Sequence, residues 1–130
     1  MKEVMKNRDP SLSKVLKALS LNIDDDTTDV IEEYLKLLFM WHEKNNILST
    51  RDREYFLRRD FYDSLSMLKY IPKGPLLDIG TGAGIPGLLL SFLRPDDYIT
   101  LLDRRDNAIR FLEHVKLKLK LENIDIIKTD

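Results

Sequence analysis

Apolar residues in the first half of the chain recur at helical spacing. A core-facing helix is predicted where they follow the i, i+3, i+4, i+7 pattern, at Ile31, Tyr34, Leu35, Leu38 and Trp41. The acidic stretch from Asp24 to Asp29 predicts its start, with Asp29 and Glu32 at capping-box spacing, and the Asn45–Asn46 pair predicts its end. A short helix precedes it, and a third helical region is predicted over residues 53–70. This half of the chain is therefore expected to be helical.

A proline and glycine cluster at residues 71–75 ends this pattern, and shorter units alternate after it. Strands are predicted over residues 75–79, 98–102 and 124–129, and helices over 85–92 and 107–120. Strands that alternate with helices are typical of βαβ units, which build a parallel sheet. The predicted fold class is α/β: a helical N-terminal cap over residues 1–72, followed by the first half (βαβαβ) of a Rossmann-like parallel sheet over residues 73–130.

This predicted sheet is incomplete. A doubly wound sheet normally has about five or more strands, whereas the pattern predicts three. One edge of the first strand would then lack its neighbour and leave apolar surface bare. We therefore expect that the chain is a fragment or that something else covers this edge.

Composition excludes several classes of function. The chain has 130 residues, a net charge of −1, no cysteine and two histidines. The lack of cysteine excludes a disulfide framework and a thiol nucleophile, and two histidines far apart in sequence disfavour a metal centre. No stretch approaches the about 20 apolar residues that span a membrane. We expect a cytoplasmic monomer without a metal, in which any RNA binding depends on a local basic patch.

The stretch LLDIGTGAGIPG, residues 76–87, joins the first predicted strand to the following helix through a glycine loop. Two motifs overlap in it. The last three glycines satisfy G-x-G-x-x-G, and Asp103 follows about twenty residues later, as in a dinucleotide-binding fingerprint. Asp78 and the three glycines that follow it satisfy a different motif, an acid at the end of a strand followed by G-x-G-x-G.

Charge at the loop separates the two classes of ligand. A pyrophosphate needs free backbone N–H groups and the positive end of a helix. Pro86 removes one such donor, and Asp78 places a negative charge close to the loop. S-adenosylmethionine has no phosphate; it carries a sulfonium and an ammonium group, which Asp78 favours, and Asp103 can accept both ribose hydroxyls. The residues favour S-adenosylmethionine over a dinucleotide or a purely structural glycine turn.

Sequence beyond the loop narrows the class of protein. The stretches TLLDRRDNAIRFLEHV and LENIDII follow the loop, and MWHEKNNILSTRDREYFLRRDFYDSL precedes it. Together with LLDIGTGAGIPG they resemble the RsmG/GidB family of bacterial small-subunit ribosomal RNA guanine-N7 methyltransferases, from about Tyr34 to Ile127. Several positions depart from that family's usual residues: Leu48 stands in place of a threonine, Asp60 in place of a histidine, and Asn107 and Ala108 in place of a basic pair.

The resemblance implies a Rossmann-like methyltransferase that uses S-adenosylmethionine and acts on small-subunit ribosomal RNA. It implies cofactor contacts at Gly80 and Ile85 and a ribose contact at Asp103. The predicted cofactor residues are Asp78, Gly80, Thr81, Gly82, Gly84, Ile85 and Asp103. Guanine N7 has a lone pair and no proton to lose, so methylation needs alignment rather than a general base. No catalytic residue is therefore predicted.

Basic side chains at and just before the start of the third helical region are predicted to contact RNA phosphates. Four of them fall within nine residues: Arg51, Arg53, Arg58 and Arg59. A second basic group lies on the helix predicted over 107–120. The alternative for both is a solvated helix face with intrahelical ion pairs. Two alternatives remain for the whole chain: a non-catalytic RNA- or partner-binding protein that retains the scaffold, and a fragment of a dinucleotide-binding oxidoreductase.

Overall fold

A computed structural model describes the chain over residues 10–48 and 53–129. The helical part comprises α1 (Pro10–Ala18), α2 (Asp25–Asn45), α3 (Arg53–Phe56), a π-helical turn (Leu57–Phe61), α4 (Tyr62–Ser66) and a 3₁₀ turn (Leu68–Tyr70). The α/β part comprises β1 (Leu76–Ile79), α5 (Gly87–Leu93), β2 (Ile99–Asp103), α6 (Asp106–Lys118) and β3 (Ile124–Lys128). The predicted strands and the helices between them are confirmed in type and order.

Helix α2 begins within the acidic stretch that predicts its start, more than one turn before the capping box. Asp24 is the N-cap, and its carboxylate accepts a hydrogen bond of 2.7 Å from the N–H of Thr27. The capping box at Asp29 and Glu32 is therefore wrong, because Asp24 already satisfies a free N–H of the first turn. The predicted end is confirmed: Asn46 adopts the left-handed conformation, with φ of 53°.

The three strands form one parallel sheet in the order β1-β2-β3. Asp78 pairs in register with Leu101, and Ile79 pairs with Leu102. The carboxyl ends of β1 and β2 therefore meet at the same edge of the sheet. This register places the loop that follows Ile79 beside Asp103, the last residue of β2. The predicted α/β class with a parallel sheet is confirmed.

One face of the sheet is covered by helices. Helix α5 packs on β1 and β2, α6 packs on β3, and α2 packs against both of these helices. The helical and α/β parts therefore share one buried core, in which Leu35 and Leu38 of α2 are fully buried. The division of the chain at residue 72 into a cap and a cofactor-binding half stays a prediction. In the described ranges, no helix is long and apolar enough to cross a membrane.

The other face of the sheet is open over the part of the chain that the structure describes. Leu77 and Ile79 of β1 are 53% and 74% exposed, and Ile127 of β3 is 46% exposed. In the same part of the chain, β1 has β2 as its single neighbour. The bare apolar edge expected from the sequence is present and continues across this face. Parallel sheets are normally covered on both faces, so this surface is suited to contact with further polypeptide.

Two isoleucines of β3 provide a test of which face is open. We expect Ile124→Thr to lower the free energy of unfolding by about 2 kcal/mol or more, because Ile124 is 1% exposed. Ile127→Thr is expected to change it by about 0.5 kcal/mol or less and to reduce binding of a hydrophobic dye. Denaturant unfolding and dye fluorescence measure both effects. Equal destabilisation by the two substitutions would contradict the open face.

Candidate cofactor site

Three glycines shape the loop between β1 and α5. Gly80, Gly82 and Gly84 have φ angles of +70°, +55° and +94°, in the left-handed region that side chains disfavour. A Cβ on Gly84 would lie 2.7 Å from Cγ of Leu88 and 3.1 Å from Cδ2 of Leu112. A Cβ on Gly80 would meet no atom within 4 Å. Gly84 is therefore required for packing. At Gly80, by contrast, the backbone after β1 is exposed and has free space beside it.

A fourth glycine lets helix α5 approach the sheet closely. Gly87 is buried, and a Cβ on it would lie 2.7 Å from Oδ2 of Asp78 and would overlap the side chain of Leu101. Gly87 completes the G-x-G-x-x-G match in the sequence. Its role in the structure is the close packing of helix on strand, which does not depend on a bound phosphate.

Most backbone N–H groups of the loop already donate within the protein. Those of Gly80 and Thr81 both donate to the carbonyl of Leu102, at 2.8 and 3.0 Å. Further along the loop, Gly82 donates to Asp103, Gly84 to Thr81, and Gly87 to Asp78. A pyrophosphate would need such groups free, so this loop is poorly suited to a dinucleotide.

Asp78 joins the two ends of the loop. Its Oδ2 accepts hydrogen bonds from the hydroxyl of Thr81 at 2.8 Å and from the N–H of Gly87 at 3.0 Å. Burial raises the pKa of Asp78, the two hydrogen bonds oppose this, and the negative charge of Asp103 raises it further. The loop is thus closed by a half-buried carboxyl group that lies near a second acid.

Asp103 fixes the loop from the end of β2. Its side chain is buried: Oδ2 accepts from the N–H of Gly82 at 2.8 Å, and Oδ1 accepts from the N–H of Arg105 at 2.9 Å. The guanidinium Nε of Arg105 lies 3.3 Å from the same Oδ1. Burial acts to raise the pKa of Asp103, but the hydrogen bonds from Arg105 and Gly82 outweigh it and lower that pKa overall. Asp103 therefore stays ionised at neutral pH.

A cleft of about 380 Å³ lies between the glycine loop and the helical part. Its apolar lining comes from Ile47, Leu48, Phe56, Ala83 and Ile85, and its polar lining includes Asp60, Asp63, Ser64 and Arg105. Its volume lies in the range of about 300–1,000 Å³ typical of ligand sites. The π-helical turn includes Asp60 and so lies beside the cleft; such turns are frequent at functional sites. A larger hollow, of about 590 Å³, shares no residue with the glycine loop.

Two of the four arginines predicted to contact RNA are engaged within the protein. The guanidinium of Arg53 lies 4.9 Å from the centre of the Phe39 ring. Arg59 forms an ion pair with Asp60 at 2.8 Å and donates a hydrogen bond of 2.6 Å to the hydroxyl of Tyr55. Arg59 thus forms the kind of intrahelical pair that was the alternative to RNA contact.

The other two arginines differ from this pair. Arg58 is exposed, and it makes no hydrogen bond or ion pair with any residue that the structure describes. Arg51 lies outside the described residues. Among the three arginines of this group that the structure describes, Arg58 is therefore the one best placed to offer a free charge to solvent.

Tyr34 is a site residue that sequence reasoning missed. The helical pattern places it correctly in the core, but assigns no role to its hydroxyl. That hydroxyl donates a hydrogen bond of 2.8 Å to the carbonyl of Ala83, at the centre of the glycine loop. The sequence did contain one indication of this contact. A tyrosine at a fully buried position of α2 has a hydroxyl that needs a hydrogen-bond partner.

The parallel sheet, the glycine loop and the acid at the end of β2 define the chain as a Rossmann-like α/β protein. Its sequence matches the family described as "GidB: rRNA small subunit methyltransferase G" over residues 27–130. The chain belongs to this family. The resemblance found in the sequence is therefore confirmed.

Curated relatives named "Ribosomal RNA small subunit methyltransferase G" are similar over most of the chain. The protein of Pseudomonas fluorescens (strain Pf0-1) is 38% identical over 89% of this chain and 54% of the relative. That of Acinetobacter baylyi is 36% identical over 87% and 53%, and that of Escherichia coli O1:K1 / APEC 36% over 91% and 57%. The chain spans about half the length of these relatives.

A solved structure of coclaurine N-methyltransferase, bound to N-methylheliamine and SAH, is similar in outline. It has a TM-score of 0.48 and 14% sequence identity, and the alignment covers 92% of this chain and 44% of that one.

No group of three or more metal-binding side chains occurs among residues 10–48 and 53–129.

Proposed function

We propose that the chain is the cofactor-binding half of an S-adenosylmethionine-dependent methyltransferase that acts on guanine N7 of small-subunit ribosomal RNA. The observation that carries the proposal is the glycine loop, held between Asp78 and Asp103 in a chain of the GidB family. The substrate follows from the names of the relatives, and the guanine N7 position from the resemblance. We propose a cytoplasmic location on the same basis.

The residues at the loop fit S-adenosylmethionine. Asp78 and Asp103 bring two carboxyl groups to it against the single guanidinium of Arg105, so the local field favours a cationic ligand over a phosphate. Gly80 offers backbone with open space beside it. When bound, this cofactor supplies a methyl group on a positively charged sulfur. The residues proposed to hold it are Asp78, Gly80, Thr81, Gly82, Gly84, Ile85 and Asp103.

These residues divide into two roles. Gly80 and Ile85 contact the cofactor, because Gly80 is exposed and Ile85 lines the cleft. Asp103 presents its carboxylate to the ribose from a position already fixed by Gly82 and Arg105. The others shape the loop: Asp78, Thr81, Gly82 and Gly84.

The chemistry makes a limited demand on this chain. Guanine N7 attacks with its own lone pair, so the protein must align the base with the methyl carbon and exclude water. The cleft beside the loop supplies an apolar wall for a flat base through Leu48, Phe56 and Ile85. No residue of the chain is assigned as a general base, since no proton leaves N7 in the transfer.

Arg58 provides a test of RNA contact. We expect Arg58→Glu to weaken binding of small-subunit ribosomal RNA and to reduce the slope of log affinity against log salt by about 1, because one phosphate contact is lost. Lys73→Glu is the matched control, since Lys73 is exposed, precedes the amino end of β1 and belongs to neither basic group. Filter binding over a salt series measures both. An unchanged slope for Arg58→Glu would exclude this contact.

Methyl transfer tests the proposed function directly. The chain is incubated with methyl-labelled S-adenosylmethionine and small-subunit ribosomal RNA, and labelled RNA is mapped by chain cleavage at 7-methylguanine. Label at one guanine, lost in the Asp103→Ala variant, is the expected result. Cofactor binding without transfer would restrict the proposal to the cofactor site, and label at another atom of the base would overturn the assignment to N7.

A further inference from the structure

Tyr34 connects the helical part of the molecule to the glycine loop. Its hydroxyl donates to the carbonyl of Ala83 at 2.8 Å, across 49 residues of sequence. Tyr34 is fully buried and Ala83 is 7% exposed. A hydrogen bond in such a dry setting has no water to replace it, so its loss leaves a buried carbonyl unsatisfied.

The ring of Tyr34 is held in place from two sides. It lies 5.6 Å from the ring of Phe92 in α5 and 6.3 Å from that of Phe111 in α6, measured between ring centres. Burial raises the pKa of the phenol far above its ordinary range, so the hydroxyl remains a donor at neutral pH. The side chain therefore presents a fixed donor to the loop.

Ala83 occupies the centre of the loop's tightest turn. It lies between Gly82 and Gly84, which both adopt left-handed backbone conformations. The N–H of Gly84 shares its peptide group with the Ala83 carbonyl and donates to the carbonyl of Thr81 at 2.8 Å. Because Tyr34 of α2 holds the carbonyl of this peptide group, the N–H of the same group is also held in its position within the turn. It also fixes the wall of the cleft formed by Gly82 and Ala83.

We propose that Tyr34 is a positioning residue, through which helix α2 holds the glycine loop in the shape that binds the cofactor. The effect on cofactor affinity rests on the proposed function; the effect on loop order does not. The helical part then contributes to the cofactor site through the hydrogen bond from the Tyr34 hydroxyl to the Ala83 carbonyl. A phenylalanine at this position would have the same shape but would lack this hydrogen bond.

The test compares the full chain with two variants of α2. Tyr34→Phe removes the hydroxyl alone, and Leu38→Ala removes buried apolar contacts one turn further along the same helix. We expect Tyr34→Phe to speed hydrogen exchange of the Gly82 and Gly84 amides and to raise the dissociation constant of S-adenosylhomocysteine, each by about tenfold. At a temperature where all three proteins are folded, Leu38→Ala is expected to change neither quantity.

Each outcome decides the proposal. Unchanged exchange in Tyr34→Phe would overturn it, as would equal acceleration in Leu38→Ala, which would indicate a general effect of stability. Faster loop exchange with unchanged affinity would overturn the link to the cofactor. If the unaltered chain fails to bind S-adenosylhomocysteine, the proposed function fails, while the exchange rates still decide whether Tyr34 orders the loop.

Discussion

Replacing Gly84 with alanine is expected to lower the free energy of unfolding by about 2–5 kcal/mol and to abolish cofactor binding. Two costs add in this variant. A left-handed backbone costs a residue with a Cβ about 1–2 kcal/mol, and forcing a methyl group into a packed site costs about 1–3 kcal/mol. The first follows from φ of +94°, and the second from the approach of Leu88 and Leu112.

Gly80→Ala is the matched control for this prediction. Gly80 has φ of +70°, but a Cβ there meets nothing within 4 Å. It should therefore lose about 1–2 kcal/mol from backbone strain alone. Denaturant unfolding measures both stabilities, and titration with S-adenosylhomocysteine measures binding. Equal losses of stability in the two variants would contradict the packing role of Gly84.

The second large effect is expected from Asp103→Asn. The substitution removes the charge that accepts from Gly82 and Arg105, and it can turn an amide N–H₂ toward these donors. We expect a loss of about 1.5–3 kcal/mol of stability at neutral pH, and at least about tenfold weaker binding of S-adenosylhomocysteine because the loop loses its anchor.

The pH dependence of stability gives this prediction a sign. The pKa of Asp103 is lowered in the folded protein from its ordinary value of 3.8. The stability that Asp103 contributes is therefore present above about pH 4 and is lost as the pH falls through the folded pKa. Urea unfolding of the full chain from pH 6 downward should include this loss, and Asp103→Asn should lack it. A variant that retains the same acid dependence would contradict the role given to Asp103.

Local patterns predicted the elements of the fold well. The switch from helical spacing to short apolar runs near residues 71–75 separates α2 and its neighbours from the βαβ units. The glycine loop was predictable because left-handed turns and close helix packing both require glycine, as Gly84 and Gly87 illustrate. The positions of Asp78 and Asp103 beside the loop were predictable because each stands near the carboxyl end of an apolar strand, and their cofactor role stays a prediction.

Contacts between distant side chains were not predictable in the same way. Tyr34 follows the apolar spacing of α2, and nothing local indicates that its hydroxyl reaches Ala83. Asp60 stands beside Arg59 in sequence, yet which of the neighbouring arginines it would neutralise depends on the geometry of the π-helical turn. The start of α2 was predictable only to within residues 24–29, because several acids there have cap chemistry and Asp24 is the one that reaches the N–H of Thr27.

The measurement that tests the central claim most directly is calorimetric titration of the 130-residue chain with S-adenosylhomocysteine. NAD is titrated under the same conditions, and the Asp103→Ala variant is the control. We predict saturable binding of S-adenosylhomocysteine with a stoichiometry near one, no binding of NAD, and weaker binding by Asp103→Ala. A folded sample that binds NAD, or that gives no heat with S-adenosylhomocysteine, would contradict the assignment of the glycine loop to a methyl donor.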